Sequence, residues 1–119
     1  MSVFQVGFYT LPNGDKPAKD FVIGLDKKMR AKMLRTIETL EDKGNQLREP
    51  YSKHLDDGIF ELRAKVGSDI SRVMYFFVIN HEIILTHGFI KKSQKTPKGE
   101  IERAKKYRKD YLERKKSNE

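Results

Sequence analysis

The sequence predicts an α+β domain with its elements in the order β-α-α-β-β-β-α, and three observations carry that prediction. Four short stretches, bounded by turn residues, alternate apolar with polar residues or run apolar throughout. Between the first and second of them, Phe21, Leu25, Met29, Met33, Ile37 and Leu40 recur every three to four positions, one helical stripe. After the last, Thr96-Pro97 opens a charged segment where Ile101, Ala104, Tyr107 and Tyr111 keep a narrower stripe.

Residues 3–9, VFQVGFY, combine alternation with β-branched and aromatic side chains and read as a first strand. TLPNGDKP (10–17) is turn chemistry, with Asp15 placed to cap a helix starting near Pro17. Gly24 and Asp26 divide the helical stripe into a short helix and a longer one over about 27–43, and Gly44-Asn45 stops it. IFELRAK (59–65) sets Phe60, Leu62 and Ala64 on one side and Glu61, Arg63 and Lys65 on the other. VGSD turns the chain into ISRVMYFFVI (70–79), which is apolar on both faces and therefore suits a central strand. Asn80-His81 fits a tight turn, and EIILTHGFI (82–90) returns antiparallel. Thr96 is the expected cap of the last helix, with Pro97 first inside; Gly99 replaces the glutamate that would complete a capping box.

At 119 residues the chain is expected to form one domain, 1–119, with 112–119 a frayed basic tail. No apolar run approaches a bilayer span, and MSVFQVGFYT lacks the basic-then-apolar order of a signal peptide, so a cytoplasmic protein without membrane contact is expected. The absence of cysteine excludes disulfides and thiolate metal sites. The net charge of +8 is concentrated in residues 91–119, where twelve Lys/Arg face five Asp/Glu. That asymmetry suits a polyanionic partner, nucleic acid or acidic protein.

Several kinds of chemistry find no support. His54, His81 and His87 never share ligand spacing with a carboxylate on one helix, so no metal or other cofactor is expected. Gly58, Gly67 and Gly88 fit no phosphate-loop or dinucleotide pattern, and no serine sits in a nucleophile setting. His87, alternating with Leu85 and Phe89, reads as a core histidine, and Tyr75 as a core residue whose hydroxyl needs a partner.

What remains is a set of cations expected on an open side of the sheet. Arg63 faces outward from its strand, and Arg72 sits within so apolar a run that it needs either a partner, Glu61 or Asp69, or a surface role. If Arg63 and Arg72 point from neighbouring strands at one place, two guanidinium forks can hold a phosphate. Lys91 and Lys92 leave the next strand at the same end, with Lys95 and Lys98 close behind and Lys65 on the arginine strand. Such a cluster stabilises a pentacovalent phosphorane, and crowded ammonium groups lose protons more readily, so a lysine can join proton transfer. Lys53 and His54 fall in the loop expected before residue 59, and histidine is the side chain suited to acid–base work.

The stretches PYSKHLDDGIFELRAK, SRVMYFF and HGFIKKSQKTPKGEIERAKK together resemble the phage-derived Gp49-like, HigB-type branch of the RelE/ParE toxin superfamily. The resemblance covers about 3–112 and is strongest over 50–106. It implies a type II toxin with a RelE-like fold, a small twisted antiparallel sheet with a helical pair on one face. It also implies metal-independent cleavage of mRNA, commonly on the ribosome, by attack of the 2′-hydroxyl on the adjacent phosphate. The implied partner is a helix-turn-helix, HigA-like antitoxin that blocks the toxin and carries it to operator DNA. By position, Arg63 and Arg72 match the residues holding the scissile phosphate, Lys91 and Lys92 the basic pair after the last strand. Lys53 and His54 match a loop that supplies a catalytic histidine in some relatives. The chain departs from ribosome-dependent relatives in having SQKTPKGE where a tyrosine often follows the basic pair; its next tyrosine is Tyr107. Two other readings stay open, a ParE-like gyrase poison acting by protein binding and a non-catalytic phage RNA-binding protein using the basic tail.

Overall fold

The computed structural model describes residues 3–90 and 95–117. A five-stranded sheet, ordered β1-β5-β4-β3-β2, lies between a helical pair on one face and a single helix on the other. The elements are β1 (Gln5–Phe8), α1 (Pro17–Ile23), α2 (Lys27–Lys43), a 3₁₀ turn (Gly44–Gln46), β2 (Ser52–Asp56), β3 (Ile59–Val66), β4 (Asp69–Val78), β5 (Glu82–Ile90) and α3 (Lys98–Ser117).

The α+β class and the expected element order hold, with one strand added. Residues 52–56 form β2 instead of a loop, paired antiparallel to β3. Asp57 (φ 51°) and Gly58 (φ 78°) turn that hairpin, as an Asp-Gly pair does when both positions need positive φ. Asn80 (φ 74°) and His81 (φ 64°) turn the β4–β5 hairpin in the same way. Three hairpins in succession make β2 to β5 antiparallel. The helical pair first carries the chain from the β1 edge to the β2 edge, so β5 ends beside β1 and pairs with it in parallel, Gln5 opposite Glu82.

Local signals account for the helix ends only in part. Asp26 caps α2 by accepting from the Met29 N–H at 3.0 Å, and α2 stops at Gly44. Asp15 does not cap α1. Its backbone N–H and carboxylate are engaged by Asn13, which closes the loop, and Lys16 holds the cap position without a side-chain bond. Thr96 does not cap α3 either; the helix begins at Lys98 and the Thr96 hydroxyl goes to Glu61.

Two apolar clusters explain why β4 is apolar on both faces. Val73 and Tyr75 pack with Leu62, Ala64, Ile83 and Leu85 against Met29, Met33, Ile37 and Leu40 of α2. Met74 and Phe76 pack with Ile59 and Ile84 against Ala104, Ile101, Tyr107 and Tyr111 of α3. Burying each such side chain contributes about 2 kcal/mol. Tyr75 donates to or accepts from Ser52 of β2, the partner its buried hydroxyl required. Helix α3 runs to Ser117, and polar side chains along it have partners in the first ninety residues. Tyr9 donates to Asp110 at 2.6 Å, and Lys115 meets Glu82 at 2.8 Å. Among the described residues no helix is long and apolar enough to cross a membrane.

Candidate anion-binding site

Strand register decides which cations meet. Arg63 on β3 stands directly opposite Arg72 on β4, Glu61 opposite Met74, and Lys53 on β2 opposite Glu61. Directly paired residues share a face, and Met74 faces α3, so Lys53, Glu61, Arg63 and Arg72 all lie on the α3 side of the sheet.

That side is not open, which corrects the expectation. The apolar stripe of α3 must be buried somewhere, and Met74 and Phe76 supply the complementary surface, so α3 covers the face that carries the arginines. Arg72 is consequently without solvent exposure, and so is Glu61. The carboxylate bridges both guanidinium groups: its Oε2 lies 2.6 Å from Arg63 Nε and its Oε1 3.1 Å from Arg72 Nε. Thr96, in the segment leading to α3, donates to the same Oε1. Of the two partners foreseen for Arg72, the structure selects Glu61. Burial lowers the Arg72 pKa; Glu61 opposes that shift and the neighbouring Arg63 adds to it. The Arg72 guanidinium also sits 6.0 Å from the Phe89 ring centroid. Two arginines on one carboxylate leave a surplus of one positive charge, and Arg63, 17 % exposed, is the member that reaches solvent.

Arg63 opens onto a concavity of about 360 Å³ lined by Lys53, His54, Leu55, Lys95, Thr96 and Ile101. Its volume is in the range of small-ligand sites. Three cations and a histidine line it with no carboxylate among the lining residues, while Leu55 and Ile101 supply an apolar wall. Lys53 and His54 reach it from edge strand β2, not from a loop. His54 lies opposite Phe60, its ring edge-on at 5.0 Å, and its Nε2 accepts from the Gly58 N–H at 3.1 Å. Alternation along β2 turns its side chain away from that of Lys53, so it borders the concavity while engaged elsewhere.

The remaining expected residues divide. Lys65 lines an adjoining groove of about 200 Å³ with Pro50, Ile70 and Arg63. Lys98, the first residue of α3, is not among the residues lining either hollow. Lys91 and Lys92 lie outside the described residues. His87 is buried as a core residue, 1 % exposed, with its Nδ1 3.2 Å from the Thr86 hydroxyl and its Nε2 3.8 Å from Glu100. Burial, and secondarily Arg103, push its pKa down to about 4. Among the described residues no group of three His, Asp or Glu assembles that could hold a metal ion.

Sequence reasoning missed Thr96, Leu55 and Ile101 as lining residues, and treated Glu61 only as an optional partner. One signal was available: a strand apolar on both faces requires cover on both faces, which places β3's charged side under a helix. Several cations of α3 have internal partners too. Lys105 meets Asp56 at 2.6 Å and Arg108 meets Asp57 at 2.8 Å, so part of the basic segment fastens α3 to the β2–β3 hairpin.

The chain matches the family described as Phage derived protein Gp49-like (DUF891) over residues 20–109, from within α1 to within α3. No curated protein matches the chain.

Proposed function

The chain belongs to the phage-derived Gp49-like family, a RelE/HigB-like toxin family, and from that premise we propose that it is the toxin of a type II toxin–antitoxin pair that cleaves mRNA. Membership implies an antitoxin partner. In this reading the partner is a HigA-like helix-turn-helix protein, operator DNA is reached only through it, and the substrate is mRNA in the cytoplasm, engaged on the ribosome.

The observation that supports this most is the concavity where Arg63, Lys53, Lys95 and His54 meet without a lining carboxylate. A phosphodiester seated there would meet the Arg63 fork, with Lys53 and Lys95 neutralising the remaining charge. The 2′-hydroxyl then attacks the adjacent phosphorus, its proton passes to a base, and the P–O5′ bond breaks as the 5′-oxygen is protonated. A 2′,3′-cyclic phosphate and a free 5′-hydroxyl result. Extra negative charge on the phosphorane is what the cations stabilise beyond the ground state. His54 is the acid–base group in this scheme, acting once its ring leaves Phe60 and the Gly58 N–H and turns into the concavity it borders. Arg72, buried and sharing Glu61 with Arg63, is a positioning residue that holds the Arg63 fork at the pocket floor. Lys98, at the start of α3, adds to the positive field of this region.

The test is induction of the chain in cells without antitoxin, followed by primer extension on cellular mRNA. Arg63→Ala should reduce cleavage by about 100-fold or more, the effect of removing one transition-state donor, with the melting transition preserved. Growth arrest and cleavage undiminished in a folded Arg63→Ala protein would defeat the nuclease reading. Arrest without cleavage would instead favour inhibition by docking.

A further inference from the structure

A second hollow, of about 340 Å³, lies on the helical-pair side and is lined by Lys32, Arg35, Thr36 and Thr39 of α2 together with Tyr51. Tyr51 is 51 % exposed, unusual for so large a ring. Both threonine hydroxyls are engaged by the helix itself, Thr36 donating to the Lys32 carbonyl at 2.8 Å and Thr39 to the Arg35 carbonyl at 3.0 Å. They do not compete for a ligand there. Among the described residues the side chains of Lys32, Arg35 and Tyr51 have no hydrogen-bond, ion-pair or ring partner. The two cations and the ring therefore differ from Arg63 and Arg72, which are held by Glu61.

The chain segment Pro50-Tyr51 lies between this hollow and the candidate active site. Pro50, next to Tyr51, lines the small groove that also contains Lys65 and Arg63, and Arg63 in turn lines the 360 Å³ concavity. The Arg63 N–H donates to the Tyr51 carbonyl at 2.8 Å, so Tyr51 is tied to the strand that carries the arginine. Arg35 and Tyr51 line this hollow, Pro50, Lys65 and Arg63 the small groove, and Arg63 and Lys53 the larger concavity, so cations occur in all three.

We propose that the Tyr51 hollow is a second contact for single-stranded RNA, in which a base stacks on Tyr51 and Lys32 and Arg35 hold a flanking phosphate, while the scissile phosphate sits at Arg63. The inference rests on the nuclease reading and deepens it, by giving the substrate strand a path over the β2 edge. A stacking ring flanked by cations binds single strands with little dependence on base identity, because every base offers a π face. A folded duplex offers no free base for Tyr51, so the surface selects unpaired RNA.

Direct binding of a fluorophore-labelled, uridine-rich single-stranded RNA to the full chain tests this, using anisotropy at low and at physiological salt. Tyr51→Ala should weaken binding about tenfold, and Tyr51→Phe by less than about twofold, because the ring face is what matters. Lys32→Glu with Arg35→Glu should weaken binding about tenfold and flatten the salt dependence. Lys109→Glu, an exposed charge reversal elsewhere, should change it less than about twofold. With 5-bromouridine RNA, photocrosslinks should map to the peptide containing Tyr51. Equal affinity for Tyr51→Ala and the intact chain, with RNA still bound and Arg63→Ala still defective in cleavage, overturns this contact and leaves the nuclease reading standing. The same equality with antitoxin binding lost assigns the hollow to a protein partner and also overturns it. An intact chain that neither binds nor cleaves RNA overturns both.

Discussion

Glu61 is the carboxylate that both arginines share, and Glu61→Gln isolates its contribution because it removes the charge while keeping shape and one acceptor oxygen. In the folded protein the carboxylate has no solvent exposure and holds Arg63 Nε at 2.6 Å and Arg72 Nε at 3.1 Å, with the Thr96 hydroxyl on the same oxygen as Arg72. Without it, Arg72 keeps a full charge in a site that water does not reach. Breaking a buried pair by removing one partner costs about 3–5 kcal/mol, and the lower end applies here because the amide oxygen still accepts a hydrogen bond. Against a total stability of about 5–15 kcal/mol for a domain of this kind, about 3 kcal/mol is a large share. It corresponds to a fall of about 10 °C in Tm. Urea denaturation of the intact chain, Glu61→Gln, Arg72→Met and the double variant gives the assay. Arg72→Met should cost less, because Glu61 retains Arg63 and Thr96, and the double variant should recover about 1–3 kcal/mol relative to the sum of the singles. A loss below about 1 kcal/mol for Glu61→Gln at unchanged m-value, or strict additivity in the cycle, would refute the idea that one carboxylate holds the cluster.

Two further outcomes probe the packing around the site. His87 is buried beside Glu100 and Arg103, and burial depresses its pKa from the usual 6.5 to about 4, so the unfolded chain binds its proton more readily. Its contribution is complete above pH 6.5 and is lost as pH falls to 4, up to about 3 kcal/mol; His87→Gln should flatten stability-versus-pH across that window, and an unchanged slope would contradict it. A Cβ at Gly88 would lie 2.2 Å from the Phe21 ring and 2.8 Å from the Arg72 carbonyl. Gly88→Ala should therefore cost about 1–3 kcal/mol in urea denaturation by pushing α1 off β5; near-wild-type stability would contradict that close approach.

Much of the fold was legible from residues a few positions apart. The stripe from Phe21 to Leu40, the Asp26 cap and the Asn80-His81 turn were each read within one helical turn or one hairpin, and each is formed as read. The double-sided apolarity of residues 70–79 required two covered faces, and α2 and α3 cover them. Asp57-Gly58 carried an equally local hairpin signal, but the charged SKHLD run before it looked like a loop, because an edge strand has only one neighbour and tolerates exposed polar side chains.

The failures share a cause. Asp15 and Thr96 have cap chemistry, yet Asp15 is engaged by Asn13, and Thr96 by a carboxylate thirty-five positions away. Spacing could show that Arg63 and Arg72 were near one another, but not that a helix would lie across them or that one buried glutamate would hold both. By itself, the sequence determined every strand and α-helix except β2, the central position of β4 and the cation-rich character of the region after residue 50. Only the tertiary structure decided that β1 joins in parallel, that α3 seals Arg72 from water, and that Arg63 alone of the pair reaches the pocket. Periodicity, caps and turns act over a few residues, whereas burial and charge pairing depend on which distant surfaces come together, and no short window of sequence records that.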